Sequence, residues 1–100
     1  MSLPYQIVGE VKNVTTGVAT ANTALPLVGG APPRFVRIQA TNLCYVAIGA
    51  SGVTATNQSM IVGPYEEVIL ACVGNTHIAY LDLAASVVIS LAAVELAVPR

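Results

Sequence analysis

The side chains able to do chemistry are few, and their spacing decides what they can do. His77 is the only histidine, so one chain cannot build a metal site with two imidazole ligands; the expected place for it is a strand start after the Gly74-Asn75 turn. Cys44 and Cys72 are the two cysteines. They lack C-x-x-C spacing, and with one histidine they fall short of the four ligands that a structural zinc site requires. Buried free thiols packing as small hydrophobes are the first reading, and a disulfide is the second. A nucleophilic thiol comes last, because activation needs a base and only His77 could serve. Glu66-Glu67 is the acidic pair, but adjacent strand residues point to opposite faces, so these carboxylates cannot converge on one substrate atom. Gly29-Gly30 and Gly49-x-x-Gly52 lack the Lys and Ser/Thr of a phosphate loop and read as turns. The expectation is no catalytic residue, no cofactor and no metal, with an enzyme last among the function classes.

The elements that would position these residues are short apolar runs with period-two alternation, separated by Gly, Pro and Asn clusters. That pattern indicates an all-β sandwich or barrel, and the fold expected is an antiparallel β-sandwich, jelly-roll-like. In the stretch 34–41, Val36, Ile38 and Ala40 face one way while Arg37, Gln39 and Thr41 face the other, as in a strand with one wet face. After the break at Asn42, the stretch 43–49 reads as its pairing partner. Further strands are expected at 59–62, ended by Gly63-Pro64, at 66–73 and at 77–82. Ala84-Ala85-Ser86 then leads into a final strand at 87–94. A helix would also suit the Ala and Leu content of that last segment, but Val87-Val88-Ile89 is a β-branched run that favours a pleated sheet. In the first third, 5–11 reads as a strand, while 13–30 has little periodicity. Residues 1–33 are therefore expected to be an N-terminal strand or an extended arm, with 34–100 as the sandwich body of a single domain.

One hundred residues, 55% hydrophobic and 9% charged, exclude a disordered chain and leave room for one core. The net charge of −1, with Lys12 the sole lysine, gives no basic footprint for nucleic acid. The uncharged stretch 38–65 is broken by Asn42, Gly49, Ser51, Gly52, Asn57, Gln58 and Gly63, so no membrane-spanning helix is expected. The first residues show neither a basic n-region nor an apolar h-region, so no secretory signal is expected. Charges this sparse cannot cover a sandwich, and large apolar patches mark interaction sites. Self-association is the consequence, with Tyr5, Ile7, Leu25 and Leu27 of the N-terminal segment as candidate interface residues, able to add along a partner's sheet edge.

The order of features resembles a group of small tailed-bacteriophage virion proteins that decorate or cement the capsid. The residues carrying it are Val36-Arg37-Ile38-Gln39-Ala40-Thr41-Asn42, Val46-Ala47-Ile48-Gly49, Val53-Thr54-Ala55-Thr56, and Met60 with Glu66-Glu67-Val68. Gly74-Asn75-Thr76-His77-Ile78 and the 87–94 strand complete it; residues 1–33 fall outside. The resemblance implies a non-enzymatic virion structural protein on the capsid surface, made in the host cytoplasm and binding the major capsid protein or other virion subunits as a homo-oligomer. A tail or fibre adaptor is the alternative. A carbohydrate-binding module would suit the fold, but the chain has no Trp and only 5% aromatic residues, against the aromatic platforms that sugar faces require.

Overall fold

The computed structural model describes residues 5–17, 19–83 and 87–96. Eight strands follow one another: β1 (Tyr5–Thr15), β2 (Ala21–Ala24), β3 (Phe35–Ala40), β4 (Cys44–Gly49), β5 (Met60–Val62), β6 (Glu67–Ala71), β7 (His77–Asp82) and β8 (Val88–Leu96). They form two four-stranded antiparallel sheets, ordered β1-β8-β3-β6 and β2-β7-β4-β5. The outermost strands of the chain pair with each other, β1 with β8, then β2 with β7, β3 with β6 and β4 with β5. A long hairpin wound up in this way is a jelly roll.

The core lies where the alternation placed it. Val36, Ile38 and Ala40 of β3 meet Ile89 and Leu91 of β8 and, from the second sheet, Cys44, Val46, Ile78 and Tyr80. All are buried. Leu25, Val62, Cys72 and Val87 complete the cluster.

One expectation changes. The stretch 43–49 does not pair with β3: β4 lies in the opposite sheet, between β5 and β7. A tight hairpin there would need positive φ in its turn. Among the described residues positive φ occurs only at Gly29, Gly30, Tyr65 and Gly74, so at 41–43 the chain bends into the other layer instead of reversing. For residues 1–33 the expectation is a strand or an extended arm. Tyr5–Thr15 is an edge strand laid on β8, Ala21–Ala24 is an edge strand laid on β7, and Leu25 is fully buried. The described part of that segment is built into both sheets, in the manner of the strand alternative. Met1–Pro4 and the Ala84-Ala85-Ser86 link lie outside the described residues.

The glycine turns have their separate reasons. Gly29 and Gly30 both have positive φ and close a two-residue hairpin, in which Val28 and Ala31 exchange main-chain hydrogen bonds. Gly74, also at positive φ, completes the turn closed by Asn75 N–H to the Cys72 carbonyl at 3.0 Å.

Candidate functional site

The residues singled out as chemical are dispersed. His77 opens β7, a half-buried side chain whose Nδ1 lies 2.8 Å from Thr76 Oγ1. Glu66 is exposed and accepts from the Gly63 N–H through Oε1, whereas Glu67 on β6 accepts from the Tyr5 hydroxyl at 2.8 Å. Cys44 and Cys72 are both free and buried. Burial, and then the nearby Asp82 carboxylate, raise the Cys44 thiol to about 11, and burial raises Cys72 as well. A thiol so placed stays protonated near neutrality, and the thiolate is the nucleophile. The Cys72 thiol donates to the Pro33 carbonyl at 3.3 Å. Among the described residues, no group of three or more His, Cys, Asp or Glu is placed to hold a metal ion. No helix there is long and apolar enough to cross a membrane.

The outer faces of the two sheets are the more informative surfaces. Residues directly opposed in an antiparallel ladder share a face, so register assigns each side chain. On the first sheet, Ile7, Val94, Phe35 and Ala71 form one outward row, and Val11, Ala92, Arg37 and Ile69 form the next. Ile7 and Val11 are exposed, while Ala92 and Val94 are buried although they point outward. Across this face the Arg37 guanidinium donates to the Tyr5 hydroxyl at 3.3 Å, and Tyr5 in turn donates to Glu67. One aromatic side chain thus ties β1, β3 and β6 together.

On the second sheet, half of the outer face is roofed by the chain itself. Asn22 Nδ2 donates to the Ser51 and Val53 carbonyls, and Ala55 N–H donates to Thr20 Oγ1 at 2.8 Å. That folds the β4–β5 connection over Ala79, which is buried. The other half is open. Tyr45 stands between Ile61 and Leu81, and the ladder extends to Leu43 and Leu83, joined by a main-chain hydrogen bond of 3.3 Å. Leu43, Leu83 and Ile61 are exposed and Tyr45 and Leu81 half-buried. This five-residue patch contains no charged side chain.

The four interface candidates do not share one surface. Tyr5 and Ile7 lie on the outer face of the first sheet, Leu25 is core, and Leu27 is half-buried beside β1, where its carbonyl accepts from the Glu10 N–H at 3.0 Å. Sequence reasoning missed the patch on the second sheet. The signal was available in strands apolar in both phases: in Leu43-Cys44-Tyr45-Val46 the even residues fill the core, so Leu43 and Tyr45 must face out.

No family model matches the chain, and no curated protein matches it. Among solved structures, the solution NMR structure of a de novo designed double-stranded β-helix is similar, with 14% sequence identity, a TM-score of 0.41, and coverage of 94% of this chain and 96% of that one.

Proposed function

We propose that the chain is a non-enzymatic virion structural protein of the capsid decoration or cement type, which docks a rigid jelly roll onto the subunits of a phage head. The observation that supports this reading is the uncharged patch Leu43, Tyr45, Ile61, Leu81 and Leu83 on the outer face of the second sheet. A contiguous exposed apolar patch larger than a few hundred Å² marks an interaction site on a soluble protein. Its burial contributes several kcal/mol at about 25 cal/mol per Å², before the costs of association. Contacts of that modest strength suit a protein displayed in many copies, where the shell supplies the multivalency. A jelly roll by itself does not choose a role, since capsid, lectin and cupin domains share it; the apolar face and the dispersed chemical groups favour assembly.

The test is mass spectrometry and cryo-microscopy of virions purified from the source of the sequence, with wild type and Ile61→Asp compared. The expected result is wild-type protein on the outside of the head and a folded variant missing from it. Density confined to the tail, or absence of the protein from particles, overturns the head assignment.

A further inference from the structure

Sheet edges expose unpaired main-chain groups, and folded proteins protect them with short strands, bulges, prolines or inward-pointing charges. Three of the four edges here are protected in this way. β1 carries a register irregularity between Ile7 and Val11 and the inward-pointing Lys12, whose Nζ donates to the Ala24 carbonyl at 3.0 Å. β2 has four residues, and β5 has three and runs into Gly63-Pro64. β6 has none of these devices: Glu67-Val68-Ile69-Leu70-Ala71 is regular, free of proline and lysine, and apolar after its first residue.

The register identifies which of its groups face outward. Cys72 N–H donates to the Arg34 carbonyl at 2.9 Å on the β3 side. The alternation of an antiparallel ladder then turns Leu70 and Val68 toward β3, and Ile69 and Ala71 toward the open edge. Among the described residues, nothing bonds to the N–H or C=O of Ile69 or Ala71. A second observation lies just beyond the two ends of the strand. Tyr65 and Val73 are the most exposed large hydrophobic side chains among the described residues, at 69% and 70%. They stand four residues before and four residues after Ile69.

We infer that β6 is a self-pairing edge, on which a second copy of this chain docks antiparallel about a two-fold axis through Ile69. This deepens the homo-oligomer within the proposed function. In that register Ile69 of each copy exchanges both main-chain bonds with Ile69 of the other, and Val68 stands across from Leu70. Glu67 stands across from Ala71, so like charges do not meet. Tyr65 and Val73 sit in the turns that flank the strand, so each end of the paired edge brings Tyr65 of one copy toward Val73 of the other, the two side chains that a single chain leaves most exposed. The first sheets of the two copies join into one continuous sheet, as strand addition at an edge requires.

The experiment is sedimentation velocity of the full chain from low to high micromolar concentration, with circular dichroism to verify folding. Wild type is expected to approach twice the mass of one chain. Ile69→Pro is expected to stay at one, because proline is tolerated on an edge strand where the lost N–H faces outward. Thr54→Lys, an exposed position on the β4–β5 connection outside both surfaces, is expected to behave as wild type. Register is read by cross-linking with oxidised glutathione: Ile69→Cys is expected to give a disulfide-linked pair, whereas Ala71→Cys is not, since its own counterpart lies beyond the roughly 7 Å that a disulfide spans. A single-chain mass at high micromolar concentration, an undiminished pair in folded Ile69→Pro, or cross-linking through position 71 in place of 69 overturns the inference. Shell binding by single chains would overturn the pairing and leave the head role standing, and paired chains absent from virions would do the reverse.

Discussion

The two edges of the first sheet are treated in opposite ways by the same chain. Along β1 the ladder to β8 slips between Ile7 and Val11, and the slipped stretch is held by the segment that follows β2. Glu10 N–H donates to the Leu27 carbonyl, and Glu10 Oε1 accepts from the Leu27 N–H at 2.9 Å. A Cβ on Gly9 would collide with the Leu27 carbonyl oxygen and the Val28 side chain, so only glycine admits this close an approach. Lys12, opposite the core residue Leu91, then turns its ammonium inward to the end of β2. Along β6 there is, among the described residues, no slip, no cover and no inward charge. Such asymmetry teaches that low charge does not mean an undefended surface: the chain's sole lysine sits where it blocks one edge, and the other is left able to pair.

Four substitutions break or sharpen this contrast. Leu25→Ala removes the fully buried anchor from which the covering segment departs, and should cost about 2–5 kcal/mol, the range for truncating a core leucine; urea unfolding measures it. Gly9→Ala forces the cover away from β1 and should cost about 1–3 kcal/mol by overpacking. Faster hydrogen exchange at the Glu10 and Leu27 amides would accompany that loss, and exchange unchanged from wild type would show that the cover is not what holds the slipped stretch. Tyr5→Phe deletes the hydroxyl that joins Arg37 and Glu67 across the outer face, and should lower thermal stability by the equivalent of about 1 kcal/mol. Lys12→Leu should change unfolding by less than about 1 kcal/mol. Its effect is on solubility: with the inward charge gone, light scattering should rise with concentration, and more steeply than for a charge removal at exposed Arg34.

Most strands were legible because the period of two and its punctuation were clean. His77–Asp82 has the bounds that its alternation indicates, and Phe35–Ala40 and Cys44–Gly49 lie within one residue of theirs. The final segment is a strand, as its β-branched run requires. What stayed hidden depends on partners distant in the chain. Ala21–Ala24 is a strand because β7 offers it a ladder from Tyr80 to His77, not because Ala-Asn-Thr-Ala favours extension. The layer change between β3 and β4 hinges on backbone angles at 41–43 that Thr-Asn-Leu does not announce. The candidate surface was half legible. Sparse charge pointed to exposed apolar area, but only the register showed Leu43, Tyr45, Ile61, Leu81 and Leu83 on one face, with Leu25 on the inside.

The nesting of first strand with last has a consequence for synthesis. Among the described residues, β1 has no ladder partner except β8, and β2 none except β7. A chain emerging from the ribosome can close β4 on β5 and β3 on β6 early, since these lie near in sequence. β1, made before its partner, must wait unpaired and with Val14 uncovered until β8 arrives between it and β3. Such non-local pairing slows folding, so the sandwich is completed from its middle outward and β1 is among the last strands to be held.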